Sequence, residues 1–246
     1  MARESVQVVA LYGGQLNLYA DRGNLLVLAD RCRRHGIELR LHAVDVGEAL
    51  PSAPDLVYLG GGPDAAQLRC AADLARHHAQ LADLAAGTTV ILGVCGGYQL
   101  LGSHFSTTQA ADVPGAGLLD VSTDSPAGPR LAGHVVAEPA APWSRGDRRL
   151  VGFENHQGRT RLGSAATPLG RVVIGHGNND HERAEGAQQG LVLGTYLHGP
   201  LFALNTWFAD LIIERALGRT LAPLTDHWGE RAHWSALRRA ERTSRA

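Results

Sequence analysis

The chain has 246 residues, 44% hydrophobic and 19% charged, with a formal net charge of −1. That balance is ordinary for a globular protein and supplies no basic surplus for nucleic acid or an anionic membrane. All 23 basic residues are arginine, which excludes Schiff-base and P-loop lysine chemistry and therefore ATP binding in that manner.

Three cysteines, Cys32, Cys70 and Cys95, are an odd number without CxxC spacing. They argue against a disulfide framework or a zinc site and for a reducing compartment. No apolar run reaches the length of a membrane span, and Met1-Ala-Arg-Glu is not followed by a signal-peptide core. The expected location is the cytoplasm, with one domain over residues 1–246, no linker and no internal repeat.

Residues 6–11 read as a first buried strand, followed by a polar, glycine-bearing stretch over 12–23. Asn24 is the expected N-cap of a helix through Leu25, Leu28, Ala29 and Cys32 to His35, closed by Gly36. Cys32 falls on its apolar face and reads as structural. Ile37, Leu39, Leu41 and Ala43 alternate as a second strand. Residues 55–59 form a third, ending in Gly60-Gly61-Gly62-Pro63-Asp64. Asp64 is the expected cap of a helix over 65–86 with a break, and Cys70 inside that helix needs no function.

Residues 89–94 are apolar and largely β-branched, a strand buried on both faces. It stops at Cys95; Gly96 and Gly97 follow, and residues 98–101 look like a first helical turn. Strand, tight turn and helix make a nucleophile elbow. A thiol at its apex stands at a helix N-terminus, where the thiolate is favoured.

This alternation predicts an α/β fold: a doubly wound, mainly parallel sheet with helices on both faces. Reactive groups collect beyond the carboxyl ends of such strands. The glycine-rich turns after Leu59 and Val94 both stand there. If their strands are neighbours, N–H groups of Gly61 or Gly62 together with Gly96 aim at one oxyanion.

Past Gly102, residues 112–120 read as a turn into a short strand and 122–129 as a polar loop. Strands over 131–138, 149–153, 171–174 and 191–196 predict an antiparallel extension beside the parallel sheet or continuing it. Residues 201–217 form a final amphipathic helix. The tail beyond about 220, arginine-rich from 231 to 246, is either a frayed terminus or a partner-docking helix.

A thiol attacking an amide needs a base that also protonates the departing amine. Among 12 histidines, His198 ends the apolar run 191–197 at the mouth of a strand. His156, in the loop-like run 153–158, competes with it. The residues alone leave both open.

The run GVCGGYQLLG over 93–102 resembles the nucleophile motif of class I glutamine amidotransferases, in the branch shared by cobyric acid synthase and the GatD subunit of lipid II isoglutaminyl synthase. YLHG over 196–199 is similar to that branch's histidine motif. NLYAD over 17–21 with Gly23 and Asn24, GGGPD over 60–64 with Gln67, RLAG over 130–133, GFENH over 152–156 with Gly158 to Thr160, and GHGNND over 175–180 extend the likeness.

The resemblance implies Cys95 as nucleophile, His198 as base and Arg130 as a glutamine-binding residue, with Gln99, Asn155 and His156 in support and no metal. It implies L-glutamine as substrate and a MurT-like Mur ligase as partner. That partner uses ATP and magnesium to amidate the D-glutamate α-carboxyl of the lipid II stem peptide, which brings the complex to the inner face of the plasma membrane. The alternatives are another acceptor such as cobyrinate, a PfpI-like hydrolase or cysteine peptidase, and a silent binding module on the same fold.

Many class I enzymes carry a glutamate two residues after the base histidine; Pro200 stands there in this chain. Either a Cys–His pair suffices, or an acid comes from Glu154, Asp21 or the partner.

Overall fold

The computed structural model describes residues 5–244; the Met1-Ala-Arg-Glu start and the last two residues of the arginine-rich tail lie outside them. In chain order the first half comprises β1 (Ser5–Leu11), α1 (Arg22–Arg34), β2 (Glu38–Val44), β3 (Leu56–Leu59), α2 (Asp64–Leu74), α3 (His78–Ala86), β4 (Val90–Val94) and α4 (Gly96–Leu101). The second half comprises β5 (His104–Phe105), β6 (Val113–Pro114), β7 (Val121–Asp124), β8 (Leu131–Pro139), β9 (Leu150–His156), β10 (Arg159–Leu162), β11 (Gly170–Ile174), β12 (Ala184–Glu185), β13 (Ala187–Gln189), β14 (Val192–Thr195), α5 (Leu201–Leu204), α6 (Thr206–Leu217) and α7 (His227–Thr243).

The central sheet has six strands in the order β13-β14-β4-β3-β1-β2. All neighbours are parallel except β13 and β14. β3, β4 and β14 are buried at every residue, as uninterrupted apolar runs between helical layers should be. α1 packs with α6, and α2 with α4, around this sheet. Cys32 and Cys70 are buried in the core, and burial pushes both thiols up to about 12, as in structural cysteines.

Several local readings are corrected by the packing. Asn24 is not a cap: α1 begins at Arg22, and the Asn24 amide donates to the Tyr58 hydroxyl and accepts from the Phe202 N–H. Asp64 is the first residue of α2, and its carboxylate accepts from the N–H and hydroxyl of Thr108. The break expected in the helix over 65–86 is present, as a 3-10 turn at Ala75–His77. The polar stretch at 122 begins as β7, because Thr123 meets Thr160 of β10 through a 2.7 Å hydroxyl contact.

The helix expected over 201–217 breaks at Asn205. Its side chain accepts from the Val151 N–H and donates to the carbonyls of Val151 and Leu201, tying the break to β9. The expected antiparallel extension is two separate four-stranded sheets, β10-β7-β5-β6, in which β5 and β7 are parallel, and β12-β11-β8-β9, whereas the strand expected there over 191–196 is β14, parallel to β4 in the central sheet. The tail is not frayed over the described residues. Asp226 caps α7 by accepting from Gly229, and the helix buries His233, Leu237 and Ala240 on the side facing β8 and β9.

One buried ion cluster joins the first helix to this C-terminal region. The Arg31 guanidinium, 2% exposed, donates to both carboxylate oxygens of Asp210 and to Asp226 at 2.6 Å. Removing one partner strands the others in a medium that solvates charge poorly, at a cost of about 3–5 kcal/mol. Arg31→Ala is therefore predicted to lose about that much stability, read as a lowered urea midpoint; an unchanged midpoint would refute it.

Candidate active site

β4 delivers Cys95 to an elbow. Its backbone takes φ 51 and ψ −103, a region that costs a non-glycine residue of order 1–3 kcal/mol and needs surrounding structure to hold it. The neighbouring strands do so. The Cys95 N–H donates to Thr195 O at 2.8 Å, extending the β14 pairing, and the Gln99 N–H donates to Cys95 O at 3.0 Å, opening α4. The turn closes only because two glycines let backbone meet backbone. A β-carbon on Gly93 would lie 2.6 Å from Gly97 C, and one on Gly97 would lie 2.5 Å from Leu59 O.

Parallel pairing of β3 with β4 sets the turn over 60–64 beside the elbow. A β-carbon on Gly61 would stand 2.9 Å from His198 Cε1, 3.0 Å from Asp21 Oδ2 and 3.3 Å from Cys95 Cβ, so thiol, imidazole and carboxylate converge on one point. A β-carbon on Gly96 would lie 3.1 Å from Gly62 N, so those two turns also touch. Among the described residues, the N–H groups of Gly62 and Gly96 have no hydrogen-bond partner. Gly61 is corrected as an oxyanion donor: its N–H is already given to Asp21 Oδ2 at 2.7 Å.

His198 follows β14, and its backbone exchanges two hydrogen bonds with Phe153 of β9. Its Nδ1–H donates to Asp21 Oδ1 at 2.9 Å, with both side chains almost fully buried. Burial alone would lower the imidazole; the Asp21 hydrogen bond and the adjoining Cys95 override it and hold His198 up at about 10. Among the described residues, Nε2 has no hydrogen-bond partner. Of the acids weighed from sequence, Asp21 is the one on His198. Glu154 instead accepts from the N–H groups of His176 and Gly177, and lies 3.7 Å from His156.

His156 has a different setting. Its ring stacks on Tyr196 at 3.6 Å, and Nδ1–H donates to Gly158 O. Burial lowers its proton affinity despite Glu154, leaving a neutral ring packed as structure. A cleft of about 450 Å³ opens over Cys95, lined also by Tyr19, Gly62, Gln67, Gln99, Arg130 and His156. Gln99 donates to the Tyr196 hydroxyl at 3.1 Å, and Asn155 accepts from Arg130 through both its side-chain and its main-chain oxygen. Gln67, named from sequence beside the GGGPD motif but given no role, donates its amide to Gly62 O and steadies that turn. Tyr19 was likewise given no role, although it stands inside NLYAD. Among the described residues no group of three or more His, Cys, Asp or Glu is arranged to hold a metal ion.

A family model described as the CobB/CobQ-like glutamine amidotransferase domain matches residues 7–206. The GatD subunit of lipid II isoglutaminyl synthase (glutamine-hydrolyzing) from Staphylococcus aureus is 35% identical over 85% of this chain and 83% of its own length. A cobyric acid synthase from Pelotomaculum thermopropionicum is 32% identical over 80% of this chain but only 38% of its own length. Among solved structures, a glutamine amidotransferase from Thermotoga maritima has a TM-score of 0.57 at 18% identity, covering 96% of this chain and 97% of that one. At that identity the likeness carries the fold alone.

The Asp21–His198 contact makes a pH prediction with a definite sign. His198 binds its proton more tightly folded, near 10, than at its ordinary 6.5. Its contribution to stability is therefore fully present below about pH 6.5 and is lost as pH rises toward 10. Asp21→Asn should flatten that loss and bring the His198 titration, followed by NMR, down from about 10; an unmoved titration would show that Asp21 does not hold the proton.

Proposed function

Because the chain belongs to the CobB/CobQ-like glutamine amidotransferases, we propose that it is the glutaminase subunit of a two-protein ligase of the lipid II isoglutaminyl synthase type. The observation that carries this reading is the meeting of Cys95, His198 and Asp21 around Gly61 beneath an open cleft.

The Cys95 sulfur attacks the carboxamide carbon of L-glutamine, its proton residing on His198. The oxyanion that forms faces the two unspent N–H groups of Gly62 and Gly96, each donor of this kind lowering the barrier by about 3–4 kcal/mol. The tetrahedral adduct breaks its C–N bond as His198 returns the proton to nitrogen, releasing ammonia and leaving a glutamyl thioester. His198 then takes a proton from water as the hydroxide cleaves the thioester, and glutamate departs. Asp21 holds the ring in the tautomer that aims Nε2 at these transfers. Arg130 receives the α-carboxylate of glutamine, which a planar guanidinium matches bidentately.

The ammonia passes to a MurT-like partner that binds ATP and magnesium and activates the D-glutamate α-carboxyl of the lipid II stem peptide. The share of each relative that is covered favours this acceptor over cobyrinate: the chain spans 83% of the GatD relative and 38% of the cobyric acid synthase. With Asp21 in the chain, the site does not wait for a partner's carboxylate. No helix among the described residues is long and apolar enough to cross a membrane, so contact with a lipid-linked acceptor is left to the partner.

The test is ammonia release from L-glutamine by the purified chain, alone and with its partner. The isolated chain should show a basal rate that Cys95→Ala abolishes, a loss of roughly 10⁴-fold or more for a nucleophile of this kind. A folded chain inert in both settings would remove the glutaminase reading. Arg130→Lys keeps the charge but loses the fork, and should raise KM for glutamine roughly tenfold or more; an unchanged KM would move the carboxylate clamp elsewhere.

A further inference from the structure

Tyr19 occupies the space between the two halves of this site. It sits in a 3-10 turn, Leu18–Ala20, with φ 54 and ψ 33, a left-handed conformation that a bulky residue adopts only when its surroundings impose it. A simple turn would use glycine or asparagine there. Tyr19 is 41% exposed and lines the cleft with Cys95 and Arg130. Its ring stands edge-on to the His198 ring at 4.9 Å and to Phe153 at 6.2 Å, over an imidazole that is only 1% exposed.

The hydroxyl makes a second connection. Arg130 has donors only, so its Nε–H and Nη2–H require oxygens, and they find Asn155 Oδ1 and the Asn155 carbonyl at 2.7 Å each. That fixes the sense of the Asn155 amide, whose Nδ2 points away and donates to the Tyr19 hydroxyl at 2.5 Å. Two of the five guanidinium N–H groups are thereby spent on one edge, leaving the end-on pair for a carboxylate.

We infer that Tyr19 is a positioning residue that links the substrate clamp to the acid–base pair: its hydroxyl fixes Asn155 and through it Arg130, while its ring covers His198. The inference rests on the glutaminase reading, since it assigns the carboxylate on Arg130 to glutamine. A tyrosine that served only as an apolar cover would tolerate loss of the hydroxyl; a linking tyrosine would not.

Calorimetric titration of L-glutamine into the full chain carrying Cys95→Ala separates these cases without turnover. Adding Tyr19→Phe should weaken binding roughly three- to tenfold, the range for one hydrogen bond. Adding Asn155→Ala should also weaken it, and the two together should be no worse than Asn155→Ala alone, because the hydroxyl acts through that amide. In the protein with Cys95 intact, Tyr19→Ala should lower kcat for ammonia release further than Tyr19→Phe, which retains the ring. Unaltered affinity in Tyr19→Phe, fully additive losses, or equal kcat in the two Tyr19 variants would each overturn the inference while leaving the glutaminase intact. A folded Cys95→Ala chain that binds no L-glutamine would overturn the glutaminase reading and this inference together.

Discussion

The left-handed backbone at Cys95 is the constraint around which the molecule is assembled. A thiol can stand at the end of a buried strand, clear of the sheet and at the head of a helix, only if the chain reverses within one residue. That reversal is unfavourable in isolation. It persists because β4 is clamped on both sides, by β3 through the Leu59–Gly93 register and by β14 through Thr195–Val94. The same clamping brings the other parts of the site to the thiol. β3 ends in the turn that carries Gly62, and β14 runs out into His198. A sheet built in another strand order would keep the elbow and lose the chemistry.

Electrostatics then decides what the assembled groups can do. His198 and Asp21 are both withdrawn from water, and an isolated charge of either kind would be heavily penalised there. Paired, they satisfy each other, with the second Asp21 oxygen taken by the Gly61 N–H. This use of Gly61 leaves Gly62 and Gly96 as the donors with no partner among the described residues. The turn thus divides its N–H groups between an internal acid and an incoming oxyanion. His156 follows the opposite course: it is buried, stacked on Tyr196 and kept neutral.

The two smaller sheets supply the outer wall of the cleft. Arg130 precedes β8 and is held by Asn155 of β9, while the first turn of the α/β layer contributes Tyr19 from the other side. Substrate recognition and bond breaking therefore belong to different layers, joined where β9 exchanges main-chain hydrogen bonds with His198. α7 braces this junction from outside by packing on β8, β9 and α5.

Much of this was legible before any coordinates. Uninterrupted β-branched runs can only be buried strands, and a cysteine between such a strand and paired glycines has few other uses, so the parallel sheet, the elbow and Cys95 follow from local pattern. Local pattern failed where a polar side chain is spent at long range. Asn24 reads as a cap but reaches Tyr58 and Phe202; Asn205 reads as helix interior but bridges to β9; Gly61 reads as a free donor but serves Asp21. The sequence by itself determined which residue types carry the chemistry and the order of the strands along the chain. The resemblance of YLHG had already pointed to His198 over His156; the tertiary structure showed the physical difference between the two and alone chose Asp21 over Glu154, because that choice depends on which of several equivalent groups the strand order brings within hydrogen-bond reach. Asp21 and His198 lie 177 residues apart in sequence and 2.9 Å apart in space, and no spacing rule encodes that distance.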